Sequence, residues 1–402
     1  MDDKIRSKQN QLMSKRLLHL EDSMSKSQKR RCRRRRSMAK ASAYIELPKL
    51  TAQLADTSQS LVVLSHLAEV DLPKFRVLKV CHSQSRLEKI RSLEALNGDR
   101  PMGCITLDEA KQHLDVTIVK DGFSVLWDEE QGTCVGVISF RNLNKLDEVE
   151  RDKTIRLFEV LDKVCATTNN LAKTNGAKCL GRMHAWGWSP SFAPSKAVKR
   201  YKPAPGSDKT QKWDELAGGE IEEVAAHLET RFRKTYRCGF EAVKTTAEEH
   251  HVVPFSASNP NCSKLQAGPN SLTVTKNGFS NRQHQDHDLS PYTFGMFFAG
   301  NATDGRFNGD VHGGNGKVIG GEFFWGGYGI VVGTAADDEF VELMWRGPQD
   351  FHGTLACRLG DGQSWKNVSR WGCSMQMTKA YRQRSLKYMD HKGQFPEELI
   401  DD

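Results

Sequence analysis

Gly321-Glu322-Phe323-Phe324-Trp325-Gly326-Gly327-Tyr328-Gly329-Ile330-Val331-Val332-Gly333 holds two apolar runs, each too short for a helix and each bounded by glycine. Aromatic and β-branched residues suit a pleated, half-buried surface, and glycines between such runs read as turns. The stretch therefore reads as two short strands, Gly321–Trp325 and Tyr328–Gly333. Working outward, the pattern repeats in Tyr292–Phe298 before it and in Glu339–Trp345, Asp350–Ala356 and Ser369–Met377 after it. Of the 33 glycines, 12 fall in residues 300–333, so turns dominate there, and no long helix is expected between about His251 and residue 378. Six or more short strands at this spacing predict a sandwich or jelly-roll barrel.

Upstream the period changes. Ile155, Leu157, Phe158, Leu161 and Val164 give Leu146–Asn169 helical spacing, and Ile221, Val224, Ala225, Leu228 and Phe232 do the same for Glu220–Arg237. Pro190, Pro194, Pro203, Pro205 and Gly206 mark residues 189–213 as a long loop. Val116–Val119, Phe123–Trp127 and Cys134–Phe140 are further strand candidates. Lys120-Asp121-Gly122 joins the first two, and Asp-Gly between such runs predicts a hairpin. The expected class is α+β, with helices first and a strand-rich C-terminal half.

The chain has 402 residues, room for two compact domains or one large one with a tail. Its 38% hydrophobic content excludes full disorder. No apolar run is long enough to span a bilayer, and the polar, basic first thirty residues lack the apolar core of a secretory signal. The 10 cysteines are scattered, with no CxxC pair, which argues against a zinc ribbon or a disulfide scaffold and for reduced intracellular thiols. The net charge of +8 is uneven: residues 1–50 carry 15 Lys/Arg against 5 Asp/Glu, so the remainder is slightly acidic. At the centre lies Lys29-Arg30-Arg31-Cys32-Arg33-Arg34-Arg35-Arg36. Such a block repels itself and is expected to be solvated and disordered. It suits a nuclear-localisation signal or an arm that neutralises phosphates; a solubilising extension is the plainer alternative.

His284-Gln285-Asp286 is the sharpest chemical clue. On an extended strand, residues i and i+2 share a face, so one imidazole and one carboxylate can meet a common ion. His352, in Asp350-Phe351-His352-Gly353-Thr354, could supply the third ligand. Two histidines and one carboxylate on one face of a metal leave the other positions open, as in non-haem Fe(II) oxygenases. An exposed loop is the competing reading, because Gln283, His287 and Asp288 crowd the same stretch. His287 falls on the other face, and His312 sits in a glycine-rich loop; neither is taken as a ligand.

The combination of His284-x-Asp286, Gly320-Gly321-Glu322-Phe323-Phe324-Trp325 and His352-Gly353-Thr354 with a downstream arginine resembles the Fe(II)/2-oxoglutarate dioxygenases. Within them it is most similar to the TET/JBP group, especially the fungal TET-like branch, over roughly residues 250–380. The resemblance implies a double-stranded β-helix, a jelly roll with helices packed outside. The corresponding division is a basic disordered tail (1–43), a helical and mixed part of the catalytic unit (44–245), the dioxygenase core (246–390) and a C-terminal tail (391–402). His284, Asp286 and His352 would hold Fe(II). Arg370, opening the last strand, would anchor the far carboxylate of 2-oxoglutarate, with Arg358 as its rival and Arg282 as a further contact.

The implied reaction couples oxidative decarboxylation of 2-oxoglutarate to hydroxylation of a methyl group. The implied substrate is methylated DNA in the nucleus: 5-methylcytosine, oxidised to 5-hydroxymethylcytosine and beyond, with N6-methyladenine demethylation as a further candidate. A base must leave the stack to reach a buried ion. Trp325 and Tyr328 are the candidate stacking platforms, and Asp337, in Asp337-Asp338-Glu339, the candidate acceptor for an exocyclic amino group. Barrel core and a solvated loop are the plainer uses of these residues. Alternation puts Phe324 and Trp325 on opposite faces. Three competing readings are an oxygenase of RNA or protein, an inactive nucleic-acid-binding module, and a cupin-like metal protein without 2-oxoglutarate.

Overall fold

The computed structural model describes residues 75–401, apart from 99–102, 174–178, 192, 194, 262–266, 303–304, 306–317, 336–337 and 390–393. The basic tail, His312 and Asp337 lie outside the described residues. The first half comprises β1 (Phe75–Val80), α1 (Gln84–Leu96), α2 (Leu107–His113), β2 (Thr117–Val119), β3 (Phe123–Asp128), β4 (Thr133–Asn142), α3 (Glu148–Thr167), β5 (Cys179–Pro190), β6 (Val198–Arg200), α4 (Asp208–Glu215), α5 (Ile221–Thr235) and α6 (Arg237–Glu249). The second half comprises β7 (Ser271–His284), β8 (Thr293–Asn301), β9 (Val318–Gly320), β10 (Phe323–Trp325), β11 (Ile330–Val332), β12 (Glu339–Trp345), β13 (His352–Thr354), β14 (Cys357–Leu359), β15 (Val368–Gln376) and α7 (Lys379–Tyr388).

β7 organises the barrel. Asn277 (φ 55°) and Gly278 (φ 71°) bend it in the left-handed region, which glycine and asparagine tolerate best. Before the bend, β7 pairs with β15, which pairs in turn with β8 and β8 with β12. Beyond it, β7 pairs with β13, β13 with β10 and β10 with β11. Two antiparallel four-stranded sheets thus share one strand, which is the double-stranded β-helix. β4, β3 and β1 extend the first sheet beyond β12, β2 adds to β11 in parallel, and β5 runs along β7. The sheet therefore continues across residue 245 into the earlier strands.

Side-chain alternation builds the layers. Phe294, Met296 and Phe298 of β8 face outward and pack with Phe158, Leu161, Leu228 and Phe232 of α3 and α5. Phe323 and Trp325 point between the sheets, against Leu126, Ile138, Leu343 and Trp345. Phe324 points the other way, into Leu87, Ile90 and Leu93 of α1. Opposite faces for Phe324 and Trp325 is the placement that alternation required.

Three local expectations fail. β2 and β3 do not form a hairpin: β2 pairs with β11, while β3 pairs with β1 and β4. Asp121 forms an ion pair with Arg76, and the Gly122 carbonyl accepts from Phe140 N at 2.9 Å, so Asp-Gly carries the chain from one sheet to the other. The hairpin comes one segment later, between β3 and β4. There the Asp128 carboxylate accepts from Glu130 N (2.9 Å) and Gln131 N (3.1 Å). Residues 189–213 are not all loop, since they contain β6 and most of α4. Finally, β7, at 14 residues, was not anticipated as a strand because Ser, Thr, Lys and Asn alternate with its apolar residues and leave no apolar run.

Candidate metal centre

His284 ends β7 and His352 begins β13, and the two stand directly opposite each other in the ladder. The chain then turns, and Asp286 N donates to the Gly347 carbonyl at 3.0 Å. This brings the carboxylate between the rings: Asp286 Oδ1 is 3.4 Å from His284 Nε2 and Oδ2 is 3.2 Å from His352 Nε2. One ligand atom from each residue lies within 4.8 Å of the others. The exposed-loop alternative therefore does not hold for Asp286 and His352, whose side chains are 13% and 5% exposed, while His284 stands at the open edge with 40% exposed.

The tautomers follow from the partners. His284 Nδ1 lies 2.9 Å from the Arg282 carbonyl and His352 Nδ1 lies 2.9 Å from the Asp350 carbonyl. A carbonyl only accepts, so each Nδ1 carries the proton and each Nε2 presents a lone pair. Two lone pairs and a carboxylate then face one another with no proton between them, and Asp286 Oδ2 is buried without a hydrogen-bond partner. Burial alone would raise the Asp286 carboxyl, but without a metal the positive charge of protonated His352, and then of His284, outweighs it and holds the group far below the usual carboxylate range. The cluster thus favours positive charge at its centre, which a metal ion can supply in place of the protons. Two imidazole nitrogens and one carboxylate oxygen are the donor set of an Fe(II) facial triad.

The supporting residues lock these ligands in place. Arg346 grips the Asp350 carboxylate with Nε and NH2, each at 2.8 Å, and NH2 also donates to the Tyr328 hydroxyl at 2.9 Å. That network fixes the backbone whose carbonyl orients His352. Glu94 of α1 accepts from Gln283 N at 2.9 Å, and the Gln283 amide ties β7 to β10 through Phe324 O (3.1 Å) and Gly326 N (2.9 Å). Gly347 has no alternative: a Cβ there would sit 2.5 Å from Asp286 Oδ2. Gly347→Ala is expected to fold and to lose about 10–100-fold in metal affinity, the range for an outer-shell change. Calorimetric titration with Fe(II) or Co(II) measures it.

The charged candidates divide by position. Arg370 lines a small cavity with Phe297, Val332, Val341, Leu343 and Phe323. The Phe323 ring also stacks on His352 at 5.6 Å, so the cavity adjoins the histidine. The Arg370 guanidinium lies 5.2 Å over Phe297, and no carboxylate among the described residues forms an ion pair with it. Burial works against its charge, and Cys357 and Glu322 only partly offset that. Gly321 makes the space: its φ is +81°, and a Cβ there would meet Arg370 Cδ at 3.0 Å.

Arg358 is exposed on β14, in a separate ribbon with β9, because alternation turns it away from its neighbours Cys357 and Leu359. Arg282 is exposed, and its guanidinium reaches the Glu94 carbonyl of α1 at 3.5 Å; its backbone carbonyl, not its charge, serves His284. Trp325 is fully buried beside Phe323, opposite His352 in the ladder, with no face left for a base. The Tyr328 hydroxyl is committed to Asp128 (3.1 Å) and to Arg346. Asp338, next to Asp337, accepts from Asn144 and precedes β12, whose opposite end leads to Gly347.

A sequence profile described as the Tet-like 2OG-Fe(II) oxygenase superfamily matches residues 151–357, just over half of the chain and all three clustered residues. The chain belongs to the Tet-like 2OG-Fe(II) oxygenase superfamily. Its cofactors are accordingly Fe(II) and 2-oxoglutarate. No curated protein sequence matches the chain. Among solved structures it is similar to OsALKBH1 (10% identity, 60% of this chain and 96% of that one, TM-score 0.29). It is also similar to a prolyl hydroxylase from Trichoplax adhaerens in complex with a hypoxia-inducible-factor peptide (10% identity, 62% and 86%, TM-score 0.27). A third is a bsmA homologue from Methylobium petroleophilum PM1 (9% identity, 60% and 89%, TM-score 0.28). At these scores the likenesses carry no argument about this oxygenase's substrate.

Sequence reasoning missed Gly347, Arg346, Gln283 and Glu94. Only the i, i+4 spacing of Arg346 and Asp350 offered a signal, and it does not distinguish a buried clamp from a surface pair.

Proposed function

We propose that this oxygenase holds Fe(II) through His284, Asp286 and His352, anchors 2-oxoglutarate on Arg370, and oxidises methyl groups on DNA bases, 5-methylcytosine first. The observation that carries the reading is the three-acceptor cluster beside a cavity whose charged lining residue is Arg370. Bound iron would supply oxidation of a methyl C–H bond coupled to decarboxylation of the keto acid. The chain's own part is to hold and exclude. Arg370 presents a planar fork that can take a carboxylate bidentately. Phe297, Phe323, Val341 and Leu343 keep water from that pair. The Arg282 and Asp350 carbonyls hold both Nδ1 protons, so Nε2 is the nitrogen that each ring turns toward the ion.

DNA as the substrate is supported by the Tet-like family and by the basic block Lys29–Arg36, which suits a nuclear protein that neutralises phosphates. The test is mass spectrometry of nucleosides after incubation with Fe(II), ascorbate and 2-oxoglutarate. 5-Hydroxymethylcytosine from a 5-methylcytosine duplex is the expected product. Loss of N6-methyladenine from a second duplex would extend the substrate range. Succinate release with no change in either DNA would overturn the DNA reading and point to RNA or protein.

A further inference from the structure

α7 begins on the rim of the metal centre. Leu289 N donates to the Met377 carbonyl at 2.6 Å, Lys379 N donates to the His287 carbonyl at 3.1 Å, and Asp288 and Thr378 form a β-bridge. Asp286 is therefore followed at once by the segment that seats the first turn of this helix. The helix, Lys379-Ala380-Tyr381-Arg382-Gln383-Arg384-Ser385-Leu386-Lys387-Tyr388, carries four basic residues and no acid.

Its inner side is spent on docking. Tyr381 and Ser385 are buried, and Arg384 NH2 donates to the carbonyls of Ala193 (3.1 Å) and Lys196 (2.9 Å). The rest faces outward: Lys379, Gln383 and Lys387 are exposed, and Leu386 is 60% exposed between them. Arg382 is half-buried; its Nε is buried and finds no acceptor among the described residues. Burial also pulls its pKa down, a condition that a nearby anion would relieve.

A row of lysines on a helix is usually a solvated face, and on such faces acids neutralise the bases at i+4. α6 does this with Arg237–Glu241 and Lys244–Glu248. α7 does not, although the chain beyond residue 50 has an excess of acids. At about 1.5 Å per residue, Lys379 and Lys387 stand about 12 Å apart along the axis. At about 3.4 Å per nucleotide along one strand, that spans three to four phosphates.

We propose that α7 is the ledge on which the substrate strand lies, with Lys379, Arg382 and Lys387 against the phosphates that flank the base entering the metal centre. This rests on the nucleic-acid reading of the site. A flipped base leaves its backbone outside the pocket, and the cations of α7 flank the site on the side of residues 287–289.

The test is the double charge reversal K379E/K387E in the full chain, neither residue belonging to the metal or 2-oxoglutarate site. Binding of a 5-methylcytosine duplex is followed by fluorescence anisotropy across a salt series. The slope of log affinity against log salt is expected to shrink by about 2, since each neutralised phosphate contributes about 0.9. KM for the duplex should rise at least 10-fold with kcat near wild type, and DNA-independent consumption of 2-oxoglutarate should not change. R237E/K244E, the same charge change on α6, should leave the slope as it was. An unchanged slope in K379E/K387E, or an equal loss in both pairs, overturns the ledge and leaves the nucleic-acid reading standing. Turnover of 2-oxoglutarate by a wild-type protein that binds no duplex overturns both.

Discussion

Asp286→Ala is expected to abolish methyl oxidation and to cut Fe(II) affinity by more than about 100-fold, beyond the upper end seen for outer-shell partners. Asp286 is the one anionic donor of the cluster, and it stands between the two Nε2 atoms. The fold should survive, because the bond from residue 286 N to the Gly347 carbonyl belongs to the backbone and alanine keeps it. The metal-free variant should melt somewhat lower than metal-free wild type at neutral pH, since a carboxyl whose folded pKa is depressed stabilises the fold above its ordinary pKa. Metal titration and a thermal melt read the two effects separately. Wild-type affinity in the variant would place the ion elsewhere.

Arg370→Leu is expected to raise KM for 2-oxoglutarate by about 100-fold or more. A bidentate carboxylate loses two charge-assisted bonds of about 1.5–3 kcal/mol each, and each 1.4 kcal/mol is about a factor of ten. Arg370→Lys keeps the charge and loses the fork, so it should fall between. Arg358→Leu, on the exposed ribbon, should change KM by less than about 2-fold, within the usual ±0.5 kcal/mol of surface substitutions. An unchanged KM in Arg370→Leu would remove the anchor from this account.

The parts of the fold legible in the sequence are those whose burial is one-sided or complete. Phe323, Phe324 and Trp325 read as a strand because each packs into one of two cores, and the faces of α3 and α5 read as helices because only one stripe of each is covered. β7 escaped because its alternating polar residues resemble loop sequence, although it carries the first histidine. The turn chemistry misled for a related reason: Asp121-Gly122 makes a tight turn, but a turn does not specify which sheet receives the next strand. The cluster itself was legible because alternation and residue type constrain metal ligands strongly. The substrate candidates were not, because an aromatic residue near a site looks the same in sequence whether its face is open or, like that of Trp325, covered on both sides.

The most direct test of the central claim is anomalous diffraction at the iron edge from crystals grown anaerobically with Fe(II). The account predicts one strong peak bonded to Nε2 of His284, Nε2 of His352 and a carboxylate oxygen of Asp286, with both Nδ1 atoms still on the Arg282 and Asp350 carbonyls. A peak away from this cluster, or coordination through either Nδ1, would contradict it.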